Sequence, residues 1–88
     1  MDMLKHLSEG GLVWDNLQEA LKNYPLGDVR VAIIKGLEHN IALYSEWIKE
    51  YEPGWLIWAR FKHEAAYALD DLRRGNKVEY LGVKIPAP

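Results

Sequence analysis

The chain contains no cysteine among its 88 residues. That excludes a disulfide scaffold, a thiolate metal site and a cysteine nucleophile. It also has no threonine and only two serines, Ser8 and Ser45, neither in the glycine-flanked elbow that acyl transfer uses. No apolar run approaches the roughly 18 residues that span a bilayer, so no membrane association is expected. Met1-Asp2-Met3-Leu4-Lys5-His6 is not a basic region leading into an apolar stretch, so no secretory signal is expected and the expected location is cytoplasmic. A net charge of −2 lacks the electrostatic footprint of a nucleic-acid binder, and nucleic acid is not an expected partner. No Gly-rich phosphate loop occurs, because Gly10-Gly11 lacks the lysine and spacing of a P-loop.

What is present is 49% hydrophobic residues, enough for a folded core in one domain over residues 1–88. Aromatics are unusual in kind: four tryptophans and five tyrosines against one phenylalanine. A small domain hides only about 60–65% of the surface its unfolded chain exposes. Tryptophan is large, and its N–H needs a partner. Four tryptophans therefore exceed what one small core readily absorbs.

Glycine and proline divide the chain at Gly10-Gly11, Pro25-Leu26-Gly27, Glu52-Pro53-Gly54 and Gly75-Asn76. Asp2 to Glu9 reads as a short helix with Asp2 as N-cap. Residues 12–24 carry Val13, Leu17, Ala20 or Leu21, and Tyr24 at helical spacing. Residues 28–51, with Asp28 as N-cap, place Ile34, Leu37, Ile41, Tyr44, Ile48 and Tyr51 on a seam of threes and fours, flanked by Ile33 and Trp47. Residues 53–74 begin with a proline suited to a first turn and put Trp58, Phe61, Ala65, Ala68 or Leu69, and Leu72 on one face. Gly75 is the expected C′ residue. Two long helices joined by a tight turn predict an antiparallel hairpin. Val78, Tyr80, Val83 and Ile85 in the tail, residues 76–88, predict one short strand or a pair too short to stand alone, needing a partner edge, with another chain as one source. The fold class expected is all-α, a small helical bundle built on a long hairpin with an extended C-terminal tail.

No constellation calls for catalysis. His63-Glu64 opens like a zinc-protease motif, but Tyr67 stands where the second histidine belongs. His39 and His63 lie near the middles of the two long helices, so a shared metal or proton relay is the one enzymatic option, set against two ordinary partly exposed histidines. Steep, short, basic helices of the DNA-binding helix-turn-helix type do not fit the long, tryptophan- and alanine-rich second helix. Gly36, four residues from Ala32, either marks close approach of another backbone or is merely tolerated at about 1 kcal/mol. Ala59 and Ala66 repeat the small-residue theme.

Trp14, Trp47 and Trp55 fall at the edges of the expected core faces, whereas Trp58 falls within one. With Tyr51, and with Arg73 and Arg74 of a small basic cluster, they are the expected binding residues, because aromatics and arginine dominate interface hot spots. The same rings suit stacking on a nucleotide or another small ligand. The stretch from Ala68-Leu69-Asp70-Asp71-Leu72-Arg73-Arg74-Gly75-Asn76-Lys77-Val78 to Glu79-Tyr80-Leu81-Gly82-Val83 resembles the helix-to-hairpin passage of small head–tail joining proteins of tailed phages, over under a fifth of the chain. In those proteins the passage follows the first helix, and here it follows the last one expected, so no site residue carries across. That resemblance implies an accessory or structural role. The function expected from the residues themselves is a non-catalytic interaction module that binds or inhibits a protein and forms a homo-oligomer, with no cofactor and no metal.

Overall fold

The computed structural model describes residues 2–50 and 54–88. Four helices precede a two-stranded antiparallel sheet: α1 (Met3–Ser8), α2 (Trp14–Asn23), α3 (Leu26–Glu50), α4 (Trp55–Arg73), β1 (Val78–Tyr80) and β2 (Val83–Ile85). The fold is the expected helical bundle on a long α3–α4 hairpin. Among the described residues no helix is long and apolar enough to cross a membrane.

Local signals explain most boundaries. The Asp2 carboxylate accepts from the Leu4 and Lys5 amides at 3.1 and 3.4 Å and so starts α1. Helix α3 begins at Leu26, two residues before the expected N-cap Asp28, because Pro25 already supplies a helix-compatible φ and its carbonyl accepts from the Val29 amide at 3.1 Å. Asp28 lies instead within the first turn, where its charge suits the helix dipole. Helix α2 starts after Val13, which is exposed, and Leu12 takes the buried place instead. Helix α4 ends as expected. Gly75 has φ +78°, its amide donates to Leu72 O at 3.1 Å and the Asn76 amide to Asp71 O at 3.0 Å, the pair of bonds of a Schellman motif. Tyr51, Glu52 and Pro53 lie outside the described residues, so the expected seam end and first-turn proline are not among the elements above.

The tail takes the second of its two expected forms, a strand pair. Its two strands pair with each other, Val78 opposite Ile85, Glu79 opposite Lys84 and Tyr80 opposite Val83. All four apolar residues point inward and are buried, with β1 against α4 and β2 against α2, and this burial holds a ribbon too short to persist alone. The two-residue turn has positive φ at Leu81 (53°) and Gly82 (77°), the signature of a type I′ turn. Leucine is strained there, since a left-handed conformation costs roughly 1–2 kcal/mol for a residue with a Cβ. Leu81→Asn should therefore stabilise the protein by about 1 kcal/mol, read as a higher midpoint in urea.

The core lies at one end of the hairpin. Buried residues of α3 run from Val29 to Leu37, and those of α4 from Ala65 to Leu72. Leu7, Leu17, Val29, Ile33, Leu37, Val83 and Ile85 are almost wholly hidden. Beyond this zone burial falls away. Trp58 is only half-buried and Phe61 is 40% exposed, contrary to their expected place in a core face. The reason is length. At 1.5 Å per residue α3 extends about 37 Å and α4 about 28 Å, but α1 only about 9 Å and α2 about 15 Å. The short helices and the sheet cover the hairpin's root and reach no further than about Tyr44, so the faces toward the tip are less covered.

One charged side chain belongs to the core. Arg30 is 4% exposed and donates to Pro86 O at 2.6 Å, Asn76 O at 2.8 Å and Leu72 O at 3.1 Å. It joins α3 to the end of α4, the following turn and the tail.

Candidate interaction groove

The distal hairpin carries a ring cluster. Helical spacing puts Tyr44 and Trp47 on one side of α3, and Trp58 and Phe61 on the facing side of α4. Trp47 and Trp58 are closest, with centroids 4.7 Å apart and planes tilted by 56°. Tyr44 lies 5.8 Å from Trp47, 6.2 Å from Trp58 and 6.0 Å from Phe61. These offset geometries are favourable for aromatic pairs. The rings touch one another, so they form a floor and not an open cage.

Two loops make walls beside this floor. The α1–α2 connection, Glu9 to Val13, stands on one side and the Tyr80–Leu81 end of the β-turn on another, enclosing a groove of about 500 Å³. The first wall is pinned to α3, because Asn40 Nδ2 donates to Gly10 O at 3.2 Å. Gly10 has φ +100°, and a Cβ there would strike the side chains of His39 and Asn40, so only glycine lets the loop lie this close. Asn16 Nδ2 braces the same loop from α2 by donating to Gly11 O at 2.9 Å. The rims are apolar and open to solvent: Val13 is 53% exposed and Leu81 46%. Burial, reinforced by Tyr44 and Glu64, pushes the pKa of the Tyr80 hydroxyl up to about 12.

The expected binding residues separate. Trp47 is in the groove floor. Trp55 opens α4 at the hairpin tip, 42% exposed beside Leu56 and Ile57 at 64% and 59%. Trp14 begins α2 and is exposed, close to Gly82 of the β-turn. Tyr51 lies outside the described residues. Arg73 and Arg74 sit at the far end of α4, in ion pairs with Glu38 at 3.0 Å and Asp70 at 3.1 Å, and join none of the aromatic residues. His39 lines the groove, whereas His63 stands edge-on to Tyr67 at 4.8 Å in a different cleft, between α4 and β1. Among the described residues no three His, Asp or Glu side chains gather as metal ligands.

Sequence reading missed Tyr44, Phe61, Val13 and Leu81 as groove residues, since periodicity assigns the first three to core faces. The signal that finds them is the unequal length of the predicted helices, which leaves the distal faces uncovered. No protein-family model, curated protein or solved structure matches this chain.

Proposed function

We propose that this chain is a non-catalytic protein–protein interaction module of the cytoplasm, and that it self-associates through the distal half of its α3–α4 hairpin. The observation that carries this reading is the run Trp55-Leu56-Ile57, exposed by 42, 64 and 59% in the first turn of α4. Single exposed apolar residues are ordinary, but a contiguous group of large ones marks an interaction surface. Fully burying each such side chain is worth about 1.5–3 kcal/mol before the entropic cost of association. Two hairpins packed through their tips make a four-helix arrangement centred on Trp55, Leu56 and Ile57.

The double substitution Leu56→Glu and Ile57→Glu tests this. Both positions are exposed, so the circular dichroism spectrum should be unchanged and stability should shift by about 1 kcal/mol or less. Sedimentation should show the variant as a monomer at concentrations where the parent chain associates. Equal association of variant and parent would refute the hairpin tip as the interface.

A further inference from the structure

We infer that the groove between the aromatic floor and the Val13 and Leu81 rims receives a basic amphipathic helix from a partner protein. This rests on reading the chain as an interaction module, and it concerns a surface separate from the Trp55–Ile57 tip.

Three observations choose the occupant. The first is the nature of the floor. It consists of side chains from α3 and α4, whose backbone groups are already paired within their helices. An extended peptide laid there would find few main-chain partners, in contrast to a peptide added to a sheet edge. A helix satisfies its own backbone and needs only an apolar face. The second is size. The α3 part of the floor runs from Asn40 to Trp47, which spans about 10 Å, or two helical turns. That length accommodates apolar anchors at i, i+3, i+4 and i+7.

The third is charge. The ionisable side chains lining the groove are Glu9, Glu64 and His39, besides the phenols of Tyr44 and Tyr80, with no lysine or arginine. The clefts beside α2, between α4 and β1, and between α1 and α3 all contain lysine. Glu46 and Glu50 follow Leu43 and Trp47 by three residues, so helical spacing brings them to the outer border of the same floor. Neither they nor Glu9 takes part in an ion pair among the described residues, and Glu64 meets only the highly exposed Arg60 at 3.5 Å. Lys49, Arg60 and Lys62 are the cations nearest this border in sequence, and none of them lines the groove. An apolar groove edged by carboxylates and lined by no lysine or arginine complements a helix whose apolar stripe is flanked by lysine or arginine.

The test uses two synthetic amphipathic helices of about five turns with identical leucine faces, one with lysine and one with glutamate on the polar face. Each is titrated into the full chain while tryptophan emission and heat are followed. The lysine peptide should bind with 1:1 stoichiometry, more weakly as salt rises, and about tenfold or more tighter than the glutamate peptide. In the chain carrying Glu9→Lys and Glu64→Lys the preference should reverse. A gain for the glutamate peptide cannot come from misfolding, so the reversal remains informative if the variant is less stable. Equal binding of both peptides, no binding of the lysine peptide, or an unchanged preference in the variant would each overturn the proposal. The Leu56→Glu and Ile57→Glu chain should bind the lysine peptide as the parent does. A parent chain that binds the lysine peptide but does not self-associate therefore refutes the tip interface alone, and failed peptide binding with intact self-association refutes the groove occupant alone.

Discussion

Replacing Arg30 with methionine should destabilise the protein by about 3 kcal/mol, a large share of the 5–15 kcal/mol typical of a small domain. Methionine conserves most of the aliphatic volume, so the loss isolates the guanidinium. That group makes three hydrogen bonds to backbone carbonyls, at 2.6, 2.8 and 3.1 Å, from a site 4% exposed. Bonds to a charged donor contribute about 1.5–3 kcal/mol each, and burying the cation offsets several kcal/mol of that sum. The residue left behind by the substitution is not an unpaired ion, which keeps the net loss in the middle of the range for buried polar networks. Lysine should recover only part of it, because one ammonium cannot reproduce a planar fork aimed at Leu72, Asn76 and Pro86 together. Thermal midpoints should fall by roughly 15 °C for methionine. The loss should also be uneven. Amide exchange should accelerate most in β1, β2 and the turn after α4, which Arg30 ties to α3, and less in α1. A uniform, sub-kilocalorie change would show that the three bonds are dispensable.

Gly36→Ala should be destabilising by about 2 kcal/mol, although helix propensity alone favours alanine by about 1 kcal/mol. Helix α1 crosses α3 at this point, and a Cβ on Gly36 would overlap the backbone carbonyl oxygen of Leu7. A carbonyl at a helix end cannot turn aside as a side chain can, so α1 must move as a body. That motion withdraws Met3 and Leu7 from the core. Gly27 supplies the control within the same helix, since a Cβ there meets nothing within 4 Å. Gly27→Ala should be neutral or stabilising by a few tenths of a kcal/mol, measured by the same urea titration. Opposite signs for the two substitutions would identify close backbone approach, and not helix propensity, as the reason for Gly36.

These two residues show what the sequence discloses and where it stops. The seam of α3, the turn signals and the Gly75 stop are local patterns, and the helices they predict are the helices observed. Gly36 announces itself as an anomaly inside a strong helix, but nothing local says that Leu7, 29 positions earlier, is its neighbour. Arg30 is still less legible. Its neighbours Val29, Ala32 and Ile33 face the core, and the carbonyls it binds lie at least 42 residues away. The tail is legible as β-forming, yet its pairing depends on a turn in which Leu81 occupies a position that favours asparagine or glycine. The tryptophan surplus is legible as an excess over core capacity. Its placement is not, because periodicity reports which residues share a face and not whether another helix reaches far enough to cover it. Trp58 and Phe61 are the cost of that gap: correct face, wrong environment.

The groove and the tip follow from the same cause. A long hairpin with short companions has a packed root and a less covered end, and the chain places Tyr44, Trp47, Trp55, Trp58 and Phe61 toward that end. Sedimentation equilibrium of the unmodified chain over a wide concentration range is the most direct test. With a chain mass of 10.2 kDa, the weight-average mass should rise with concentration toward about twice that value, with tryptophan emission shifting to the blue as Trp55 leaves water. A mass fixed at 10.2 kDa at every concentration, with unchanged emission, would contradict self-association through the hairpin.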